Sequence, residues 1–221
     1  MRIEYGYYDI ASNEKEVKEN IEHSLDFAPS AISVLPQYLR LVGKSLLEEN
    51  VSVGTIIDYP FGLSSSRSRE DSVTDAIDKG ANYIEVVCPN FNLCNRKYEK
   101  FRIEIDKFTE LCSSANVELR YVLDYKIYNL NLLQKVSQIL VSKKIFTICP
   151  SVGFLMDAIS DNILVGMLII KKNPEMNIIF NGQAWTDEHI DLILSNSSIK
   201  TYKTNNIHTL EKIVNKIKEI L

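Results

Sequence analysis

The sequence predicts a single-domain (β/α)8 TIM barrel of the α/β class, spanning residues 1–221. Eight short β-type runs alternate along the chain with eight longer amphipathic patterns of helical period. The length of 221 residues is close to the roughly 250 that are typical of such barrels. A doubly wound open sheet is disfavoured, because the first strand-to-helix turn, DIASNEK, contains no glycine.

The predicted strands are short runs rich in β-branched and aromatic residues, at 3–8, 31–35, 51–58, 83–87, 117–123, 145–148, 178–180 and 199–202. The runs SVGTII and YIEVVC suit barrel strands, which are buried on both faces. The predicted helices lie at 12–25, 37–49, 68–79, 97–114, 130–142, 154–171, 187–194 and 209–221. Ser12 is the predicted N-cap of the first helix, and Gly80 ends the third.

Composition argues against several classes of function. The chain is 45% hydrophobic and 24% charged with a net charge of −4, so it has no basic surplus for nucleic acid or an acidic membrane. The N-terminal segment MRIEYGYYD lacks the apolar run of a signal peptide. The longest apolar run, 163–170, is too short to span a bilayer. We therefore expect a cytoplasmic protein that binds neither nucleic acid nor a membrane.

Cysteine and histidine spacing argues against a metal site. The four cysteines form no CxxC pair, and the three histidines have no HExxH spacing. We expect reduced thiols, no metal and no cofactor. A histidine-based triad stays open, because the members of a triad are scattered along a sequence.

A barrel of this kind carries its active site at the carboxyl ends of its strands. The predicted catalytic candidates at these ends are Asp9, Glu85, Lys126 and Cys149. The predicted ligand-binding candidates are Ser151, Gly153, Asn181, Gly182, Gln183, Lys203, Thr204, Asn205 and Asn206.

The segment 56–87 resembles the deoxyribose-phosphate aldolase family; it reads IIDYPFGLSSSRSREDSVTDAIDKGANYIEVV. That family has an F/Y-P-x-G turn, a helix that opens with Lys-x-x-Glu, and then G-A-x-E-I-D-x-V. Here the turn is Tyr59-Pro60-Phe61-Gly62, Arg69 takes the lysine position, and Gly80-Ala81 opens the next strand. Further stretches are similar in chain order: AISVLPQYL, ICPSVGF, IIFNGQAWT and YKTNNIHTL. The resemblance covers most of the chain and implies the same barrel.

The resemblance also implies a chemistry from which this sequence departs. In the family, a strand-six lysine forms a Schiff base with the carbonyl substrate, a strand-seven lysine lowers its pKa, and a strand-four aspartate assists proton transfer. The matching residues here are Cys149, Ile179 and Glu85, while Asp9 matches an early aspartate. A thiol can add to an aldehyde, but it supplies no iminium to accept electrons. The usual mechanism is therefore not expected at its usual place.

Each candidate also has a plain structural interpretation. Cys149 is either a nucleophile or a small buried residue. Glu85 is either a general acid or base, or a carboxylate held by a hydrogen bond in a buried strand. Lys126 is either a relocated Schiff-base amine or a solvated loop lysine. Lys203, with Asn205 and Asn206, either binds an anion at the start of the last helix or lies beside an asparagine N-cap.

Two hypotheses of function follow. In the first, the chain has lost Schiff-base aldolase activity and binds a small metabolite, phosphorylated or not, or a partner protein. In the second, it is an active lyase that uses Lys126, or acid–base chemistry through Glu85 and Asp9. A barrel mouth filled by Ile179 and Trp185 would favour the first. The oligomeric state stays open, and a homodimer is one expectation from the family.

Overall fold

Eight parallel strands pair in chain order and close into a barrel, which confirms the predicted fold class. The computed structural model describes residues 1–154 and 156–220, without the side chain of Ile220. The strands are β1 (Arg2–Tyr7), β2 (Ala31–Val34), β3 (Ser52–Ile57), β4 (Tyr83–Val87), β5 (Glu118–Val122), β6 (Thr147–Cys149), β7 (Asn177–Phe180) and β8 (Thr201–Thr204). The helices within the described ranges are α1 (Glu14–Leu25), α2 (Leu39–Ser45), α3 (Ser66–Asp78), α4 (Asn90–Cys94), α5 (Tyr98–Ser114), α6 (Leu130–Ser142), α7 (Ile159–Lys172), α8 (Asp187–Ser195) and α9 (Ile207–Ile220).

Some boundaries differ from the predicted ones, and one difference matters for the site. β8 continues to Thr204, two residues past its predicted end, because its pairing with β1 runs on to the register pair Tyr5–Thr204. The short helix α4 was not predicted, since five residues are too few to show a helical period. The predicted helices at 154–171 and 209–221 include Leu155 and Leu221, which lie outside the described residues.

The predicted N-cap of α1 is wrong by one residue. The side-chain oxygen of Asn13 accepts hydrogen bonds from the backbone N–H groups of Lys15 and Glu16, at 3.0 and 3.1 Å. The Glu16 carboxylate in turn accepts the N–H of Asn13 at 2.8 Å, which completes a capping box. Ser12 and Asn13 are both good cap residues, and the acid three residues after Asn13 selects it.

The amino-terminal half of the barrel interior contains a buried arginine. Arg120 Nη1 donates to the Glu4 carboxylate, 3.0 Å from Oε2, and the guanidinium carbon stacks 3.9 Å from the ring centroid of Tyr83. Gly54 makes room for this ring, because a Cβ at that position would lie 2.5 Å from it. Charge and aromatic surface therefore fill the floor of the barrel.

A second buried arginine fixes the carboxyl ends of β3 and β4. Arg69 of α3 donates two hydrogen bonds of 3.0 Å to Glu104 of α5. Its Nη1 donates to Asp58 Oδ2 at 2.5 Å, and its Nη2, which also donates to Glu104, reaches the carbonyl oxygen of Val87 at 2.7 Å. Arg69 thus joins two helices to two strand ends, and it anchors the start of the loop after β3.

We expect Arg69→Met to destabilise the fold by about 3–5 kcal/mol, because it leaves two carboxylates without their buried cation. The measurement is urea unfolding followed by circular dichroism. The matched control is Arg67→Met, since Arg67 is exposed and its pair with Asp71, at 3.6 Å, lies on the helix surface. The control should change stability by less than about 0.5 kcal/mol. Equal losses in both variants would contradict a special role for Arg69.

Candidate functional site

An ion pair between Glu85 of β4 and Lys203 of β8 forms the polar centre of the barrel. Lys203 Nζ lies 2.5 Å from Glu85 Oε2 and also contacts Oε1. Both residues are buried. The prediction placed Lys203 in the loop after β8, and that placement is wrong: the residue lies within the strand, opposite Glu4 of β1. Its side chain therefore reaches across the barrel instead of into solvent.

Three side chains complete this polar centre. The Tyr8 hydroxyl donates to Glu85 Oε2 and accepts from Lys203 Nζ, each at 3.1 Å. Ser33 Oγ also donates to Glu85 Oε2, at 3.1 Å. Cys149 Sγ lies 3.7 Å from Glu85 Oε1. Four neighbours thus surround one carboxylate, as burial of such a group requires.

The pair holds both groups in their charged forms. Burial raises the pKa of Glu85, but the Lys203 ammonium and then Arg120 lower it by more than burial raises it. The pKa therefore ends below its ordinary value of 4.5. Burial lowers the pKa of Lys203, but the Glu85 carboxylate outweighs this effect and leaves it above its ordinary value. A lysine in this state is an ammonium at neutral pH, and an ammonium is not a nucleophile.

Cys149 ends β6 and is buried beside this pair. Burial raises the pKa of its thiol, and the nearby Glu85 carboxylate raises it further. The thiolate is the reactive form of cysteine, so this environment favours an inert thiol. Its geometry fits the interpretation of Cys149 as a small buried residue.

Apolar side chains fill the barrel around the polar centre. They form one buried cluster: Leu35, Ile56, Val87, Val122, Cys149, Val152 and Ile179. Tyr8, Tyr59 and Phe154 pack on this cluster and are partly buried; we call these three the aromatic cap. The rings of Tyr8 and Tyr59 lie 5.2 Å apart, and those of Tyr59 and Phe154 lie 6.1 Å apart. Ile179 therefore lies in the filled interior, whereas Trp185 is exposed.

The structure does not bring the other two catalytic candidates to Glu85. Lys126 is exposed, and its Nζ donates to the carbonyl oxygen of Phe154 at 2.7 Å. Asp9 is also exposed, and it accepts hydrogen bonds from Ala11 N at 2.9 Å and Ser12 Oγ at 2.8 Å. These two hydrogen bonds lower the pKa of Asp9. Both residues therefore organise loops at the mouth.

Most of the predicted ligand-binding residues line a small pocket between the β7 and β8 loops. Its volume is about 70 Å3, and its lining comprises Asn181, Gly182, Gln183, Ala184, Trp185, Thr204, Asn205, Asn206 and Thr209. Asn206 caps α9, because its side-chain oxygen accepts the N–H of Thr209 at 3.0 Å. This pocket lies at the positive end of a helix dipole, an environment that favours anions. Lys203 points into the barrel instead of lining it.

The remaining predicted residues lie in the loop after β6. Ser151 Oγ accepts the N–H of Gly153 at 3.1 Å, and the Ser151 carbonyl accepts from Asn181 Nδ2 at 2.5 Å. Gly153 has a φ of +69°, which suits glycine. Asn205 Nδ2 donates to the Gly153 carbonyl at 3.4 Å. Hydrogen bonds thus join this loop to both sides of the pocket.

Within residues 1–154 and 156–220, no group of three or more His, Cys, Asp or Glu side chains is placed to hold a metal ion. In the same ranges, no helix combines the length and apolar character needed to cross a membrane.

The amino-acid sequence is similar to those of known deoxyribose-phosphate aldolases. No family model matches the chain. It is 26% identical over 122 residues to the deoxyribose-phosphate aldolase of Treponema denticola, a match that spans only 55% of this chain and 56% of that protein. It is 20% identical over 204 residues to the deoxyribose-phosphate aldolase of Mycoplasmoides pirum, covering 91% of each.

Solved structures are similar over nearly the whole chain. The structure titled "QR15, an Aldolase" has a TM-score of 0.85 at 18% identity, covering 99% of this chain and 96% of that one. The deoxyribose phosphate aldolase of Aeropyrum pernix, described as tetrameric, has a TM-score of 0.79 at 13% identity, covering 100% and 91%. The predicted resemblance to deoxyribose-phosphate aldolases is confirmed. At these identities, the structural likeness shows the fold alone.

The sequence did not predict that Ser33 and Lys203 contact Glu85 in the polar centre. A signal for the pair was present, since Glu85 and Lys203 are opposite charges within buried β-type segments. Opposite charges in two buried strands stabilise each other if the strands face one another across a barrel. The partner of each charge lies 118 positions away, so no local pattern reveals it.

We expect Lys203→Met to destabilise the protein by about 3–5 kcal/mol at pH 7, because Glu85 becomes an unpaired buried charge. In the native protein, the lowered pKa of Glu85 contributes stability above about pH 4.5 that is lost on acidification. In the variant, the Lys203 ammonium, the strongest cause of the lowered pKa, is absent, so we expect burial to outweigh Arg120 and raise this pKa, and acidification is then stabilising. The difference between the two proteins should therefore narrow as the pH falls from 7 to 4.

Urea unfolding across this pH range measures the effect. The double variant Lys203→Met/Glu85→Gln should recover much of the lost stability at pH 7, because it removes the unpaired charge. A loss that does not depend on pH, or that the second substitution fails to reduce, would contradict the ion-pair account.

Proposed function

We propose that this deoxyribose-phosphate-aldolase-like barrel has lost the usual Schiff-base aldolase activity and binds a small anionic metabolite. The observation that carries the proposal is the state of the buried amine at the barrel centre. Lys203 is held as an ammonium by Glu85, beneath the aromatic cap. A Schiff base needs a neutral amine with room for a carbonyl carbon beside it.

The strand-six position supports the same proposal. By resemblance, Cys149 takes the place of the lysine that attacks the carbonyl substrate. A thiol that adds to an aldehyde gives a hemithioacetal, which offers no electron sink for breaking a carbon–carbon bond. The apolar packing of Ile179 at the strand-seven position adds no charge to tune a neighbouring amine.

The proposed ligand is a phosphorylated metabolite whose phosphate enters the pocket between the β7 and β8 loops. Backbone N–H groups at the start of α9 and the side-chain amides of Gln183 and Asn205 are suitable donors for phosphate oxygens. With a volume of about 70 Å3, the pocket suits an anionic headgroup, and the rest of the ligand would lie across the mouth. Homodimer formation and a cytoplasmic location stay predictions from the sequence.

Borohydride trapping tests the loss of Schiff-base chemistry. The protein is incubated with acetaldehyde or deoxyribose 5-phosphate, reduced, digested and analysed by mass spectrometry. We expect no lysine to gain a stoichiometric adduct, while a deoxyribose-phosphate aldolase treated alongside is labelled normally. Retro-aldol turnover of deoxyribose 5-phosphate, or a stoichiometric adduct on a lysine, would contradict the proposed loss of Schiff-base chemistry.

The same experiment tests an active lyase as the second candidate function. The exposed amine of Lys126 favours it, because this lysine lies in a loop at the barrel mouth and outside the Glu85–Lys203 ion pair. An adduct at Lys203 would support this candidate, and one at Lys126 would support a relocated loop amine. Activity that survives Lys126→Ala would exclude the loop amine.

Phosphate binding tests the pocket. We expect Asn206→Asp to weaken the binding of inorganic phosphate and deoxyribose 5-phosphate at least tenfold, because aspartate keeps the N-cap but places a negative charge in the pocket. Isothermal titration calorimetry measures this change. The matched control is Asn13→Asp, which makes the same substitution at the N-cap of α1. Equal affinities in all three proteins, or no binding to the native protein, would contradict the anion site.

A further inference from the structure

The segments that follow β3, β4, β5 and β6 expose a set of large apolar side chains at the mouth end of the barrel. Each is between 48% and 79% exposed: Phe61, Leu63, Phe91, Ile127, Leu130 and Met156. We call these six residues the apolar arc. Single exposed apolar residues are ordinary on protein surfaces, so the question is whether these six form one surface.

Hydrogen bonds and ring contacts join the loops that carry the arc. Asn90 of α4 donates to the Phe61 carbonyl at 2.5 Å, and its N–H reaches the Gly62 carbonyl at 3.0 Å. The Tyr128 hydroxyl, in the loop after β5, bonds to the side-chain oxygen of Asn90. The Phe61 ring lies 5.7 Å from the Phe154 ring, in the loop after β6. The four chain segments that carry the arc are therefore held against one another at the mouth end of the barrel.

The exposed side chains of the arc provide apolar area for an interface. An aromatic side chain carries about 150–250 Å2 of surface, so Phe61 and Phe91, each a little over half exposed, together leave roughly 200 Å2, and the four aliphatic residues add to it. The largest apolar patch on a typical monomer is about 300–600 Å2 and is often functional, and a standard interface takes about 800 Å2 from each partner. The arc does not line an open channel, because the aromatic cap closes the interior beneath it.

A cleft of about 430 Å3 lies at the outer edge of the arc, between α4 and the start of α6. Its lining includes Leu93, Tyr98 and Leu132 on the apolar side, and Arg96 and Asn129 on the polar side. A cleft of this kind suits an apolar anchor side chain from a docked segment.

The charges around the arc and the cleft are mainly positive. Four cations border them: Arg96, Lys97, Lys126 and Lys135. Lys97 Nζ lies 4.6 Å from the Phe91 ring centroid, and Lys135 Nζ lies 5.9 Å from that of Tyr98. The neighbouring acids are the exposed Glu99, the half-buried Asp124 and the buried Asp157, which directly follows Met156. In a chain with a net charge of −4, this basic border is a local feature.

We propose that the apolar arc and its cleft are a docking site for an acidic, amphipathic segment of a partner protein. The arc and the cleft take the apolar face of the segment, and the four cations face its carboxylates. A second copy of this chain fits less well, because an isologous contact would bring two basic borders together. This site lies across the mouth from the anion pocket, so the docking proposal does not depend on the proposed function.

Selection from a random 16-residue peptide library displayed on phage tests the proposal. The chain is tethered through its N-terminus, at the end of the barrel opposite the arc. We expect the enriched peptides to combine Asp or Glu with Leu, Phe or Trp, and their binding to weaken as salt rises. No enrichment, or enrichment of basic or neutral peptides, would overturn the proposal.

Matched variants locate the binding surface. Phe91→Ser and Lys97→Glu should each weaken peptide binding at least tenfold. Lys97→Glu should leave α5 intact, because Lys97 precedes its first turn, where an acidic side chain suits the helix dipole. The control Lys171→Glu makes the same substitution, and Leu164→Ser a similar loss of an exposed apolar side chain, on exposed α7 positions; both should leave peptide binding unchanged. Equal binding by all variants would place the peptides elsewhere and overturn the proposal. Circular dichroism checks that each variant is folded.

Two further measurements distinguish other occupants. Light scattering that finds a dimer dissociated by Phe91→Ser would assign the arc to a second copy of this chain. Co-sedimentation with phosphatidylserine-containing vesicles that is lost in Phe91→Ser would assign it to a lipid surface. Either result would overturn the proposed partner, whereas phosphate titration of the same variants should match the native protein.

Discussion

The arrangement of the barrel mouth depends on the buried ion pair between Glu85 and Lys203. A carboxylate in the middle of a barrel is unfavourable unless a cation and hydrogen-bond donors reach it. Lys203 supplies the cation, and Tyr8 and Ser33 supply donors. The pair places the Tyr8 ring over the interior, where it meets Tyr59, and the aromatic cap follows from this contact.

The same pair connects the fold to its chemistry. The aldolases that this chain resembles need a neutral amine in the barrel, and a lysine beside a carboxylate is held in its charged form. The apolar cluster around Cys149 and Ile179 excludes water, which strengthens the attraction between the two charges. Packing and electrostatics therefore stabilise each other in the filled barrel interior beneath the mouth loops.

Sequence patterns predicted the barrel well because its elements repeat. The strand at 83–87 and the helix at 130–142 agree with the structure, since each has a clear period and clear ends. The pattern was less informative at short or irregular elements such as α4 and the end of β8. For the site, the pocket between β7 and β8 gathers residues predicted from strand ends, while Lys126 and Asp9 lie in loops of their own.

The sequence by itself determined the eight alternating units, the resemblance to deoxyribose-phosphate aldolases and the presence of Cys149 where that resemblance implies a lysine. These depend on local composition and on the order of short segments. Only the tertiary structure decided that Lys203 pairs with Glu85, and that the segments after β3, β4, β5 and β6 are joined at the mouth. Residues far apart in the chain meet there because closing the barrel brings β4 opposite β8, and contacts made by closure leave no local periodicity in the sequence.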